Sequence, residues 1–180
     1  MPTNIIAEEI EKAELIDNRF RHAVWINRPD EHGNKEGNFS LIFRAHDIIE
    51  DKIVALKFLD ISYLNDQYRL AAFEREPEIL KKLFSRSRCL QLASDLSVHI
   101  IQIDTAQGEV LPIHCKYFAT EWLDHSLDQF FLNQQSIETR SKLELFNDIV
   151  LAVEAIHRAD IQHRDIKPDN LKARDCNPKK

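Results

Sequence analysis

The run His163-Arg164-Asp165-Ile166-Lys167-Pro168-Asp169-Asn170 constrains this chain more than any other segment, because it packs two carboxylates, two cations, an imidazole and an amide into eight residues. Just before it, Leu143, Phe146, Ile149, Val150, Val153 and Ile156 stand three and four residues apart, the stripe of a helix spanning Ser141 to Arg158. Read alone, the octet is a polar turn after a helix. Far upstream, Ile53-Val54-Ala55-Leu56-Lys57-Phe58-Leu59 is apolar and β-branched with one cation inside it, which reads as a strand.

The octet resembles the catalytic loop of eukaryotic-type protein kinases, an HRD triplet followed at fixed distance by Asn. His163, Arg164, Asp165, Lys167, Pro168 and Asn170 match the serine/threonine version of that pattern. The resemblance implies that Asp165 accepts or orients the proton of the substrate hydroxyl and that Asn170 holds Mg²⁺ through its amide oxygen. It implies that Lys167 balances charge on the transferred phosphoryl group, whereas His163 and Arg164 are architectural. Phosphoryl transfer needs charges placed rather than a strong nucleophile, which suits this composition.

Lys57 lies 108 residues before Asp165, in the order the family requires, and is similar to the third-strand lysine that reaches the α- and β-phosphates of ATP. The segment Asn34-Lys35-Glu36-Gly37-Asn38-Phe39-Ser40-Leu41-Ile42-Phe43-Arg44-Ala45 resembles the glycine-rich hairpin over those phosphates. Gly37 takes the central glycine position and Phe39 the aromatic tip, while Lys35 and Ser40 replace the outer two glycines. Since glycine lets backbone approach phosphate closely, these replacements stiffen the hairpin or weaken its nucleotide contact. On its own the segment is an ordinary β-hairpin.

Apolar residues at 73, 79, 80, 83 and 84 give Ala71 to Phe84 a helical face. This segment resembles the family's αC helix, in which Glu76 pairs with Lys57. Pro77 lacks an amide hydrogen, so the helix is expected to begin near residue 75 or to bend there. Tyr117 to Leu123 has the form of the fifth strand running into the hinge, with Thr120 as gatekeeper and the backbone of Glu121 and Leu123 facing adenine. Helical signals follow from Ser126, and the stripe from 141 to 158 matches the family's αE, a core helix of the large lobe.

Composition bounds the remaining classes. Charged residues make up 30% and hydrophobic ones 43%, without an apolar run of membrane-spanning length. The N-terminus carries acidic residues in a short amphipathic helix expected from Asn4 to Ile16, without the basic start and long apolar run of a secretory leader. Cys89, Cys115 and Cys176 form no CxxC pair, so reduced thiols in the cytoplasm are expected. A net charge of −6 disfavours general nucleic-acid binding, and the eight histidines show no zinc spacing.

The expected architecture is α+β and protein kinase-like: an N-terminal extension at 1–20, a small lobe of antiparallel sheet plus helix at 21–120, and the hinge and start of a helical large lobe at 121–180. The connection Ser85 to Ser94 precedes a fourth strand at Val98 to Asp104. In the family an Asp-Phe-Gly triplet follows the catalytic-loop Asn by about a dozen residues, whereas here Lys180 is ten residues after Asn170. The sequence is therefore expected to be the N-terminal portion of a longer kinase, with the 141–158 stripe left partly uncovered. The implied function is transfer of the ATP γ-phosphoryl group to serine or threonine hydroxyls of a protein, with ATP and Mg²⁺ as cofactors. A noncatalytic kinase-like nucleotide-binding or interaction module is the alternative, and a small-molecule phosphotransferase is a third.

Overall fold

The computed structural model describes residues 3–29, 39–105, 107–127 and 138–173. It divides into two compact units, Met1–Lys81 with Leu92–Trp122, and Lys82–Gln91 with Leu123–Lys180.

The first unit contains α1 (Thr3–Lys12), β1 (Phe20–Trp25), β2 (Ser40–Asp47), β3 (Lys52–Leu59), α2 (Gln67–Lys82), β4 (Leu92–Asp104) and β5 (Val110–Glu121). The strands form one antiparallel sheet in the order β1-β2-β3-β5-β4. Strand side chains alternate between faces, and in β3 this sends Val54, Leu56 and Phe58 into the core while Ile53, Ala55 and Lys57 are half-buried on the other side.

Aromatic rings dominate the core face. Phe58 stacks on Tyr117 at 4.8 Å between centroids, and Phe43 and Phe20 meet this pair edge-on at 5.5 and 6.2 Å. Each such contact adds about 0.5–1.5 kcal/mol beyond burial. Residues 3–20, within the expected extension, close this core, because Ile6, Ala7 and Ile10 of α1 are buried with Ile16 and Phe20. The spacing of 6, 7 and 10 is one face of a helix, so α1 acts as a cover for the sheet. It ends at Lys12, before the expected Ile16.

Other boundaries also move. Strand β4 begins at Leu92 rather than Val98, and bulges between Leu92 and Ser94 and between Ser94 and Ser97 absorb its irregular start. Strand β5 begins at Val110, well before Tyr117.

The second unit contains β6 (His125–Ser126), α3 (Thr139–Arg158), a 3₁₀ turn at Pro168–Asn170 and β7 (Lys172–Ala173), with β6 and β7 paired antiparallel. Ser126, expected to open a helix, is in the β6 strand, and residues 128–137 lie outside the described residues. The apolar stripe of α3 forms on a helix with no buried residue, and Leu143 and Phe146 are each 63% exposed. Arg88 reaches Asp148 of α3 at 2.8 Å.

Asp47 is the most deeply placed charge in the first unit. Its carboxylate is fully buried and accepts from Arg19 Nη2 at 2.7 Å and from the amides of Ile49 and Glu50 at 3.0 and 3.3 Å. Burial opposes the charge, but Arg19 and the two amides outweigh it and hold the carboxyl below its ordinary value of 3.8. A depressed carboxyl stabilises the fold above the unfolded value and loses that contribution as pH falls through the folded value. Asp47→Asn should therefore lower stability at pH 7 by about 3 kcal/mol, since it strands Arg19. The same variant should also remove part of the wild-type loss below pH 3.8. Urea melts at pH 7 and pH 3 check both outcomes, and an unchanged midpoint at pH 7 contradicts them.

Candidate active site

Lys57 sits at the centre of the sheet because β3 lies between β2 and β5. Its ammonium donates to both carboxylate oxygens of Glu76, at 2.8 and 2.6 Å, and lies 5.8 Å from the Phe118 ring centroid. The two side chains are 23% and 32% exposed. At that exposure the pair adds little to net stability, so its effect is mainly to fix where the ammonium points.

Glu76 reaches Lys57 because of how α2 is seated. Phe73, Pro77 and Leu80 are its buried residues, spaced four and three apart, and Phe73 packs on Phe118 at 5.2 Å. The helix begins at Gln67, so the expected start near residue 75 is corrected. Pro77 is an interior residue, where it removes the amide bond to the Phe73 carbonyl. Burial of its ring beside Phe73 and Leu80 offsets that loss.

Of the hairpin residues, Lys35 and Gly37 lie outside the described residues. Phe39 immediately precedes β2, its carbonyl accepting from the amide of Asp60 at 3.1 Å, and Ser40 is buried opposite Leu59. The sequence reading missed Asn27, which fastens this stem. Its Oδ1 accepts from the amide of Ile42 at 2.8 Å and from Trp25 Nε1 at 3.0 Å, and its Nδ2 donates to the Ser40 carbonyl at 3.0 Å. A polar residue ending the apolar run Ala23 to Ile26 was the available signal.

Thr120 is buried on β5 opposite Ala55, and its hydroxyl donates to the Glu121 carbonyl at 3.2 Å. Glu121 ends β5 opposite Val54, whereas Leu123 belongs to the second unit.

In that second unit the octet folds around Asp165. Arg164 takes a left-handed φ of 63°, uncommon without glycine, and the Asp165 amide donates to His163 Nδ1 at 3.3 Å. Asn170 Nδ2 donates to the Asp165 carbonyl at 2.9 Å and to Asp165 Oδ2 at 2.8 Å. Lys167 Nζ stands 4.0 Å from Asp165 and 3.9 Å from Asp169, close enough for charge attraction but not for hydrogen bonds. The 3₁₀ turn at Pro168–Asn170 brings Asn170 back, its amide donating to the Lys167 carbonyl at 3.0 Å. Pairing of β7 with β6 holds the loop's exit.

The structure thus brings Lys57 together with Glu76, and Asp165 with Lys167 and Asn170. Among the described residues Asn170 donates through Nδ2 to Asp165, and its Oδ1 is a hard oxygen ligand of the type suited to Mg²⁺. Among the described residues, no group of three or more His, Cys, Asp or Glu converges to hold a metal, and no helix is long and apolar enough to cross a membrane.

Residues 35–174 match the family model described as protein kinase domain. Serine/threonine-protein kinase pkn3 of Myxococcus xanthus is 26% identical over 136 residues, covering 76% of this chain and 22% of that protein. Serine/threonine-protein kinase PrkC of Bacillus subtilis is 29% identical, covering 75% of this chain and 19% of that protein. Serine/threonine-protein kinase PknK of Mycobacterium tuberculosis is 26% identical over 163 residues, covering 88% of this chain and 12% of that protein. The chain spans about a fifth or less of the length of these relatives. Its antiparallel five-stranded sheet with α2 fits the small lobe of the matched family, and the match spans well over half of the sequence. On these grounds the chain belongs to the protein kinase domain family.

Proposed function

We propose that this chain supplies the nucleotide-binding and phosphoryl-transfer residues of a serine/threonine protein kinase, acting on protein substrates in the cytoplasm. The observation that carries the proposal is the two-oxygen grip of Glu76 on the Lys57 ammonium. It orients a cation on a rigid strand, which is what positioning a polyphosphate requires. In this reading residues 21–120 form the small lobe, 121–180 the hinge and the start of the large lobe, and 1–20 the extension that packs back on the sheet.

Lys57 would hold the α- and β-phosphates of ATP, with the backbone of Glu121 and Leu123 at the adenine edge and Thr120 behind it. The hairpin through Gly37, Phe39 and Ser40 would cover the phosphates. Asp165 would accept or orient the proton of the acceptor hydroxyl as its oxygen bonds to the γ-phosphorus and the bond to ADP breaks. The hydrogen bonds from Asn170 to the Asp165 carbonyl and Oδ2 support that carboxylate, and Lys167 beside it would offset charge on the transferred group. Asn170 would hold Mg²⁺ through Oδ1, and the metal when bound neutralises phosphate charge.

The Lys35 and Ser40 replacements in the hairpin favour a second reading, a nucleotide-binding module without turnover. Two experiments separate the readings. With MgATP at a hundred times its Kd, the wild-type protein should gain about 2.7 kcal/mol of stability, visible as a raised Tm, and Lys57→Ala should abolish the gain. Absence of any nucleotide response in the wild type contradicts both readings. In the full-length protein, Asp165→Asn should reduce kcat about a hundredfold or more while MgATP affinity stays within twofold. Nucleotide binding with no phosphoryl transfer by wild type to protein acceptors supports the module, and retained turnover in Asp165→Asn removes Asp165 as the base.

A further inference from the structure

Lys116 of β5 forms an ion pair with Glu74 of α2. It is a second charged contact between this helix and the sheet, independent of Lys57 and Glu76. Lys116 stands two residues before Phe118 on the same face of β5, and Phe118 is directly opposite Lys57 in the register. Before Pro77 the helix meets the sheet at three named points: Glu76 on Lys57, Phe73 on Phe118, and Glu74 on Lys116; beyond it, Lys81 reaches Asp95 of β4 at 3.0 Å through side chains that are 43% and 61% exposed, against 32% and 38% for the Lys116–Glu74 pair. Lys116 and Phe118 lie along one strand and Lys57 lies on the next, so the three points form a triangle rather than a line.

A triangle of contacts fixes what fewer contacts leave free. Glu76 on Lys57 alone would let α2 pivot about that pair. Adding Phe73 on Phe118 still permits rotation about the line through both. Glu74 and Glu76 are two positions apart, roughly 200° around an α-helix, and so flank the buried stripe of Phe73, Pro77 and Leu80 on opposite sides. Rolling the helix to shorten one ion pair lengthens the other.

The three anchors lie in the turn from Phe73 to Pro77, where the proline's missing amide leaves the helix's own ladder one bond short. A helix weakened there depends on outside contacts to hold the turn that carries Glu76.

We propose that the Lys116–Glu74 pair is a latch that sets the roll of α2 and so keeps Glu76 on Lys57, making Lys116 and Glu74 positioning residues for nucleotide binding. The first half of this proposal stands on the geometry of α2. The second rests on the reading of Lys57 as the phosphate-holding cation.

The test combines hydrogen exchange over residues 67–82 with binding of MgATP and of adenosine, comparing wild type, Lys116→Glu, the charge swap Lys116→Glu with Glu74→Lys, and Lys57→Ala. Breaking the latch should speed exchange in α2 and raise the MgATP Kd by about threefold to fivefold. The swap should restore both, and adenosine, which carries no phosphate, should bind equally to all variants. A purely structural effect would weaken adenosine and ATP together, and that result overturns the positioning role. If Lys57→Ala weakens ATP but Lys116→Glu changes neither ATP binding nor exchange in α2, the latch is overturned and the nucleotide reading stands. If the wild type binds no nucleotide, the positioning role falls with that reading, and exchange in α2 still decides whether the latch exists. Should the reversed charge prevent folding, Lys116→Met removes the pair without repulsion and is read in the same way.

Discussion

The two-residue alternation of β3 is the constraint on which the first unit depends. A strand paired on both sides cannot slip by one position without exchanging its faces, and β3 is paired along its whole length with β2 and over five residues with β5. One face must accept Val54, Leu56 and Phe58, which commits the opposite face to Lys57. The position of the candidate phosphate-binding cation therefore follows from where the apolar residues beside it are buried. A slip that exposed Phe58 would also drive Lys57 into the aromatic core, where its charge would have no partner.

The two faces are stabilised by different physics. On one, α1 and the aromatic cluster of Phe20, Phe43, Phe58 and Tyr117 exclude water and supply most of the burial. On the other, α2 covers less apolar surface and adds charge pairs that are partly exposed. Such pairs are individually weak, and this division lets the sheet stay rigid while the helix bearing Glu76 rests on a small number of directional contacts. Asp47 belongs to the rigid side. With Arg19 it ties the entry to β1, the exit of β2 and, through the Arg19 bond to the Ala93 carbonyl at 3.2 Å, the start of β4.

The parts legible from sequence were those with a strong period or a dense motif. The β3 run and the stripe from Leu143 to Ile156 each declare their element by spacing, and the octet from His163 to Asn170 carries the family resemblance in a dense motif. What escaped depended on contacts distant in sequence. Pro77 argued for a helix start near residue 75 or a bend there, because propensity counts the lost amide bond but not the burial of the ring beside Phe73 and Leu80. The start of β4 was hidden because Ala93, Ser94, Asp95 and Ser97 are weak strand formers that the sheet tolerates through bulges. Asn4 to Ile16 read as an amphipathic helix, but nothing local told which surface its face would cover. Asn27 shows the same limit, since hydrogen bonds of its side chain join Trp25, Ser40 and Ile42 across a loop.

A double-mutant cycle on MgATP affinity with Lys57→Met and Glu76→Gln goes to the heart of the account. If Glu76 acts by orienting Lys57, Glu76→Gln weakens binding in the wild-type background and has no further effect once Lys57 is methionine. Losses that add independently in the double variant would mean that the pair seen between α2 and β3 does not position the nucleotide, and the assignment of Lys57 and Glu76 would be wrong.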